Sequence, residues 1–252
     1  MKVISIVNQK GGVCKSTTAQ AIAEIFNRQY KKTLLADLDP QGNLSFAVGA
    51  NTENTATMYN VLKKETDAQN ILQETPSSDI LPANILLSGA DMEFTTTGRE
   101  YLLKETISDI KQRYKYIIID CPPALNILTI NALVASDFII IPSLADVFSL
   151  QGMGQLNDTI QSIIKYCSPN LKITGILLTK FIYRNNLSQI IKNELENVTR
   201  QMNTKVFNSN IRNAVALQEA QLQRKCLFDY AQDSTAMQDY INFVSELEEA
   251  IK

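Results

Sequence analysis

The chain has no histidine. That absence removes the usual general base near neutral pH, the serine-triad constellation and most zinc sites. Long apolar runs are also missing: Ile117–Ile119 and Phe138–Ile141 are far too short to span a bilayer. The four cysteines, Cys14, Cys121, Cys167 and Cys226, lie far apart with no C-x-x-C spacing. With no signal-peptide pattern at the start, they read as reduced thiols of a cytoplasmic protein. Nor is there a charge excess. Twenty-four Lys and Arg against 26 Asp and Glu leave −2, so no global field favours nucleic acid, and any such contact must come from a local patch. Repeats, low-complexity tracts and Pro/Gly linkers are absent, so the 252 residues read as one domain with a full core.

What is present is an alternation of short apolar runs and helical patterns. The strand candidates are Lys2–Val7, Thr33–Asp37, Tyr116–Asp120, Phe138–Pro142, Ile173–Thr179 and Lys205–Asn208. The early ones are unbroken apolar runs, as expected of parallel strands covered on both faces. Leu150, Met153, Leu156, Ile160, Ile163 and Ile164 recur at helical spacing. This rhythm predicts an α/β fold, a doubly wound, mostly parallel sheet flanked by helices. Residues 50–80 are polar and weakly periodic, and read as a short helix, Met58–Lys64, plus surface loop. The last segment, Thr235–Lys252, predicts a helix with Met237, Tyr240, Ile241, Val244, Leu247 and Ile251 on one side and Asp239, Glu246 and Glu249 on the other. An acidic face argues against lipid binding and for docking on the chain's own core.

Three motifs carry chemistry. In the loop Lys10-Gly11-Gly12-Val13-Cys14-Lys15-Ser16-Thr17, glycines let the backbone pass close to phosphate oxygens, and successive N–H groups form an anion nest at a helix N-terminus. Lys15 would neutralise the β/γ oxygens, and the Ser16 hydroxyl would coordinate Mg²⁺. The second motif, "LLADLDPQGNLS", places Asp37 and Asp39 two apart, on one side of a strand end. The third, "YKYIIIDCPP", is four apolar positions ending in Asp120, the pattern of a strand whose carboxylate holds Mg²⁺ through water. Together they point to nucleotide binding, a P-loop NTPase.

"NQKGGVCKSTT", "DLDPQGN", "YIIIDCPPALNILTINALVASD" and "AVALQEAQ" together resemble the ParA/Soj partition ATPases, of the deviant-Walker group that includes MinD and the nitrogenase iron protein. The resemblance runs from residue 2 to about 248 and is loose between 50 and 110. It implies a homodimer that sandwiches ATP, with Lys10 crossing to the partner's phosphates, and conversion of ATP to ADP and phosphate. It assigns phosphate contacts to Gly11, Gly12, Val13, Cys14, Lys15, Ser16 and Thr17, the last near the α-phosphate. It assigns the metal to Ser16 and Asp120, the carboxylate that orients the attacking water to Asp39, and a supporting place to Asp37. Catalysis would then be mainly charge placement by Lys10, Lys15 and Asp39, slow because the site is complete only in the dimer. Purine contacts would fall at Thr179 and in Phe207–Asn210, Asn210 included.

The resemblance further implies non-specific DNA binding on basic residues of the last third, with Arg184, Arg212, Arg224 and Lys225 as candidates. A ParB-like centromere-bound partner would stimulate hydrolysis, and the chain would sit in the cytoplasm on the nucleoid without membrane attachment. Because Met1 almost starts the first strand, no N-terminal DNA-reading extension is expected. Two other readings stay open: a MinD-like membrane-cycling spatial regulator, and a nucleotide-dependent scaffold that does not hydrolyse. One departure stands out. The family has Gly where this chain has Cys14, and if the position requires positive φ, a Cβ there costs roughly 1–2 kcal/mol. A thiolate beside Lys15 would repel ATP, which favours tolerated or weakened binding over a redox gate. The cargo, whether plasmid, chromosome or mobile element, is not written in the motifs.

Overall fold

The computed structural model describes residues 1–30, 32–184 and 186–252. Six strands form one parallel sheet: β1 (Lys2–Ile6), β2 (Thr33–Asp37), β3 (Asp79–Leu81), β4 (Tyr116–Asp120), β5 (Phe138–Leu144) and β6 (Lys172–Thr179), in spatial order β3-β2-β4-β1-β5-β6. Every ladder is parallel. The strand order reverses on either side of β1, the crevice where open α/β sheets place their ligands.

The sheet divides two apolar layers, and side-chain alternation assigns each residue to one of them. In β4, Ile117 and Ile119 face one layer, while Tyr116 and Ile118 face the other. The first layer is closed by α2 (Ile127–Ala135), α3 (Val147–Tyr166) and α4 (Asn186–Gln201), through residues such as Leu133, Leu156 and Leu195. The second is closed by α1 (Lys15–Tyr30) and by α5 (Val215–Leu222), α6 (Leu227–Tyr230) and α7 (Thr235–Ala250). Ala19, Ile22 and Phe26 of α1 pack there against Tyr240, Phe243 and Val244 of α7. Gly175 in β6 is required by packing: a Cβ there would lie 2.6 Å from the ring of Phe207.

Three expectations are corrected. The stretch 50–80 is not helix and loop alone, because Asp79–Leu81 pairs with β2 as an edge strand. Lys205–Asn208 is no strand: it contributes a single bridge, Ile176 to Val206. The terminal helix docks on α1 as expected, but its acidic side is not all solvated. Asp239 is buried beneath Arg212, and Glu246 accepts from the backbone N–H groups of Asn208 and Ser209. Among the described residues no helix is long and apolar enough to cross a membrane.

Candidate functional site

β1 ends at Ile6, and the chain turns through residues 7–14 into α1, whose first residues are Lys15 and Ser16. The turn needs left-handed backbone at Gly12 (φ 75°) and again at Cys14 (φ 64°). Gly12 takes this conformation freely, and Cys14 takes it against its Cβ. The loop is held from behind. Asn8 donates to the Pro142 carbonyl at 2.7 Å and accepts from the Lys10 N–H at 2.9 Å. The Thr179 hydroxyl lies 3.2 Å from the Val13 carbonyl and 3.3 Å from that of Ser143. Lys15 folds back over the loop and donates to the Lys10 carbonyl at 3.1 Å.

The register brings the acidic motifs to the same edge: Asp37 and Asp120 are cross-strand partners, and Ile6 of β1 pairs with Asp120. Asp37 is fully buried and satisfied. It accepts from the Asp39 N–H at 3.0 Å and from the Ser45 N–H and hydroxyl at 2.9 and 2.7 Å. Burial still pushes its carboxyl up to about 6, against those hydrogen bonds. Asp120 differs. It is fully buried, and neither carboxylate oxygen has a hydrogen-bond partner. Burial first, then the charge of Asp37, raises its pKa well above the usual carboxylate range, with Ser16 and Lys15 pulling the other way. Burial lowers the Lys15 pKa, opposed chiefly by the charge of Asp120. Asp39 is buried, accepting from the Gln41 N–H at 3.0 Å.

A cavity of about 390 Å³ is bounded by Gly11, Lys15, Ser16, Asp39, Pro123 and Leu222. A neighbouring one of about 190 Å³ is bounded by Lys180, Arg212, Asn213, Leu217, Gln218 and Tyr240. Gly12, Cys14, Thr17 and Gln221 border both, so the two meet over the phosphate loop. Cys14 is one of these shared residues, and burial raises its thiol pKa, an effect larger than the opposing charge of Lys180.

Of the residues expected at the site, the fold gathers Lys10 to Thr17, Asp37, Asp39 and Asp120 at one edge. Thr179 is also there, but its hydroxyl faces the loop backbone. Asn210 is buried with its Oδ1 unpartnered, one residue outside the lining of the smaller cavity. The basic candidates are dispersed. Arg184 is exposed in the turn before α4. Arg212 is held by Asp239 through three hydrogen bonds, two from the guanidinium at 2.8 and 2.7 Å and one from the backbone N–H at 3.0 Å. Arg224 and Lys225 sit in the turn between α5 and α6, with the Arg224 guanidinium 4.4 Å from the centre of the Phe46 ring.

Three participants escaped the sequence. Asp146 caps α3 by accepting from the Ser149 N–H at 2.8 Å and also binds Lys10; an Asp just before an apolar-periodic run is a cap signal, and only the fold reveals its second partner. Ser45 anchors Asp37, and Gln221 touches Thr17. No spacing rule marks either.

An AAA domain family model matches residues 1–173. Over 251 residues the chain is 38% identical to the sporulation initiation inhibitor protein Soj of Bacillus subtilis, with 98% of each covered. It is 34% identical over 253 residues to the chromosome partitioning protein ParA of Caulobacter vibrioides, with 98% of this chain and 94% of the relative covered. Among solved structures, cobyrinic acid a,c-diamide synthase from Mycobacterium smegmatis with bound ATP analog and magnesium superimposes with a TM-score of 0.88 at 30% identity, covering 100% of this chain and 96% of the other. Likeness of this depth along the whole length, on a sheet whose strand order brings the three motifs to one edge, makes the chain a member of the ParA/Soj family of partition ATPases.

Proposed function

We propose that the chain binds ATP with Mg²⁺ over the phosphate loop, pairs with a second copy across the nucleotides, and hydrolyses ATP slowly to ADP and phosphate. In this reading the ATP-loaded pair holds DNA without sequence preference, and a ParB-like partner stimulates hydrolysis and release. The observation that carries the reading is Asp120. A fully buried carboxylate with both oxygens unpartnered, beside a buried Lys15, is costly unless a cation completes it. Among the described residues no three His, Cys, Asp or Glu side chains gather to hold a metal directly. That suits magnesium, which keeps several waters and takes one or two protein ligands beside phosphate oxygens. Ser16 and Asp120 would hold it, and it would supply charge neutralisation at the phosphates.

The chain's own residues then divide the work. Backbone N–H groups from Gly11 to Ser16 bind and orient the phosphates, Lys15 meets the β/γ oxygens, and Thr17 lies near the α-phosphate. Asp39, which lines the larger cavity, orients a water and takes its proton, and Asp37 fixes the backbone of Asp39. Lys10 supplies the second cation in trans. The base lies toward the smaller cavity, beside Tyr240 and Leu217. Arg184, Arg224 and Lys225 supply phosphate contacts that double in the pair, a route by which a chain of net charge −2 can coat DNA.

Sizing the protein with ATP, with ADP and with neither, for the parent and for Lys10→Ala, tests the core of the reading. Pairing by the parent alone, and only with ATP, is the expected result. ATP-loaded protein that shows no salt-dependent retention on random duplex DNA would remove the DNA step.

A further inference from the structure

The segment carrying Arg224 and Lys225 is fastened to the phosphate-loop helix at both ends by one chain of hydrogen bonds, half-buried at Gln221 and buried at Gln20 and Glu24. Gln221, at the end of α5, lays its amide against Thr17: Nε2 to the Thr17 hydroxyl is 3.3 Å, and the hydroxyl to Oε1 is 3.4 Å. The same Nε2 donates to Gln20 Oε1 at 3.1 Å, and Gln20 Nε2 donates to Glu24 Oε1 at 2.9 Å. Glu24, buried in α1, then receives the start of α6. Its Oε1 accepts from the Leu227 N–H at 3.1 Å, and its Oε2 accepts from the Phe228 N–H at 3.0 Å and the Cys226 thiol at 3.1 Å. Ser77 adds a fifth donor at 2.6 Å. Residues 222–225 are the exposed elbow between these two anchor points. Arg224 covers Phe46, which itself borders the larger cavity.

We propose that Gln221 is a positioning residue that couples nucleotide occupancy to the Arg224–Lys225 elbow; this rests on the reading of the loop as a triphosphate site. Without nucleotide, the Thr17 hydroxyl and the Gln221 amide can pair in either sense, with the hydroxyl giving its one hydrogen to Oε1 or keeping it free while accepting from Nε2. A phosphate oxygen near Thr17 is a charged acceptor and takes that hydrogen in preference to a neutral amide oxygen. Only one sense then remains: Nε2 donates to both Thr17 and Gln20, and the rest of the chain to Glu24 is polarised in the same direction. The end of α5 is thereby fixed on α1, and the elbow's two cations are held in one place relative to the phosphate site. With the pocket empty the elbow keeps its anchor at Glu24, and its Gln221 end is held on Thr17 by a hydrogen bond of either sense.

Hydrogen exchange of residues 219–228, with and without saturating ATPγS and Mg²⁺, tests this. In the parent, exchange there slows on nucleotide addition by about fivefold, the scale set by one net hydrogen bond. In Gln221→Met, which matches the side chain's length and lacks the amide, the slowing is absent although the nucleotide is saturating. Thr17→Ser, which keeps the hydroxyl, retains it. A parent segment whose exchange ignores nucleotide, or a Gln221→Met protein that responds as the parent does, overturns the coupling. Retention on random duplex DNA separates the two readings. Gln221→Met should bring the ATP-to-ADP ratio of retention toward one, whereas Arg224→Ala with Lys225→Ala lowers retention in every nucleotide state. Nucleotide-dependent exchange in a parent that never binds DNA would leave the coupling standing and sink the DNA reading instead.

Discussion

The ammonium of Lys10 lies 2.5 Å from Oδ2 of Asp146 in the same chain, with the Ser149 hydroxyl at 3.5 Å and the Phe148 ring centre at 6.0 Å. Partial burial pushes the Asp146 carboxyl up, and Lys10 and Ser149 more than offset that, holding it below its ordinary value. Lys10 is therefore kept on its own chain, whereas the proposed pairing requires it to reach across. Asp146→Asn keeps the cap on α3, since Asn caps as well as Asp, and removes the charge that holds Lys10. The pair is about one-third exposed on each side, 30% and 34%. Its release should strengthen ATP-dependent pairing only about two- to fivefold, the range of a solvent-screened ion pair. Sedimentation equilibrium with ATP measures this, and weaker pairing in the variant would show that Asp146 serves the dimer rather than the monomer.

Asp120 gives a prediction of opposite sign for stability and for metal. Its raised pKa and that of Asp37 mean that the folded apo protein holds protons that the unfolded chain has already released. Their contribution to stability is therefore greatest at low pH and falls as pH rises through the Asp37 value of about 6. Asp120→Asn removes the ionisable carboxyl where neither oxygen meets hydrogen-bond geometry, although the Ser16 hydroxyl lies near enough to favour the charged form. Without Mg²⁺ the variant should be more stable than the parent at pH 7.5 by roughly 1–3 kcal/mol, the range for relieving a buried carboxyl whose ionisation is disfavoured, less what its charge gives to Lys15. The gap should narrow as the pH is lowered, because the raised pKa of Asp120 lets protonation relieve the same cost in the parent. Scanning calorimetry at the two pH values, with and without Mg²⁺ and ATP, reads both effects: Mg²⁺–ATP should raise the melting point of the parent far more than that of the variant. A variant less stable than the parent at pH 7.5 would mean that Asp120 is already compensated within the chain.

Cys14 sits at φ 64°, left-handed backbone that glycine adopts without strain. Cys14→Gly should stabilise the protein by about 1 kcal/mol, the cost of a Cβ in left-handed backbone less the entropy that glycine adds to the unfolded chain. It should also clear the junction of the two cavities, tightening ATP binding several-fold. Because burial raises the thiol's pKa, iodoacetamide should label Cys14 more slowly than a free cysteine at neutral pH, and slower still with ATP bound. Rapid labelling would restore the redox gate as a competing reading.

How far the sequence spoke can be judged from particular elements. β1, β2 and β4 were legible because burial on both faces turns a parallel strand into an unbroken apolar run. β3 was not, because a three-residue edge strand lies below the length at which any period can be read. The Lys205–Asn208 stretch carries strand-like chemistry, but it reaches β6 through one bridge only, and local pattern cannot see the missing partner. At the site, motif spacing placed Lys15, Ser16, Asp37 and Asp120, which are close in the fold because their strands are neighbours. It could not place Asp146 against Lys10, 136 residues away, or Gln221 against Thr17, 204 away. Such contacts depend on which strand lies beside which, and no short-range rule encodes that order.

Arg212 and the Arg224–Lys225 pair, grouped by sequence as DNA contacts, should separate experimentally. The Arg212 guanidinium is tied to Asp239 by two hydrogen bonds and to the Thr235 carbonyl by a third at 3.2 Å, so it fastens the segment after β6 to the start of α7. Its charge is already neutralised at close range, which leaves little to offer a phosphate. Arg212→Ala should lower stability by about 1 kcal/mol, since Asp239 would lose the guanidinium and keep only the backbone N–H of residue 212, at 3.0 Å, while the exposed edge of the pair is screened. Arg224→Ala and Lys225→Ala should leave the melting point nearly unchanged. Each DNA phosphate that the protein no longer neutralises flattens the slope of log affinity against log salt by about 0.9. In a pair of chains the change doubles, so the double variant should reduce the slope by about 3 to 4, whereas Arg212→Ala should leave it where it was. Filter retention across a salt series, run beside thermal melts of the same proteins, yields both quantities. An Arg212→Ala protein that melts like the parent and has a flattened salt slope would move Arg212 from the frame of the fold to the DNA-facing surface.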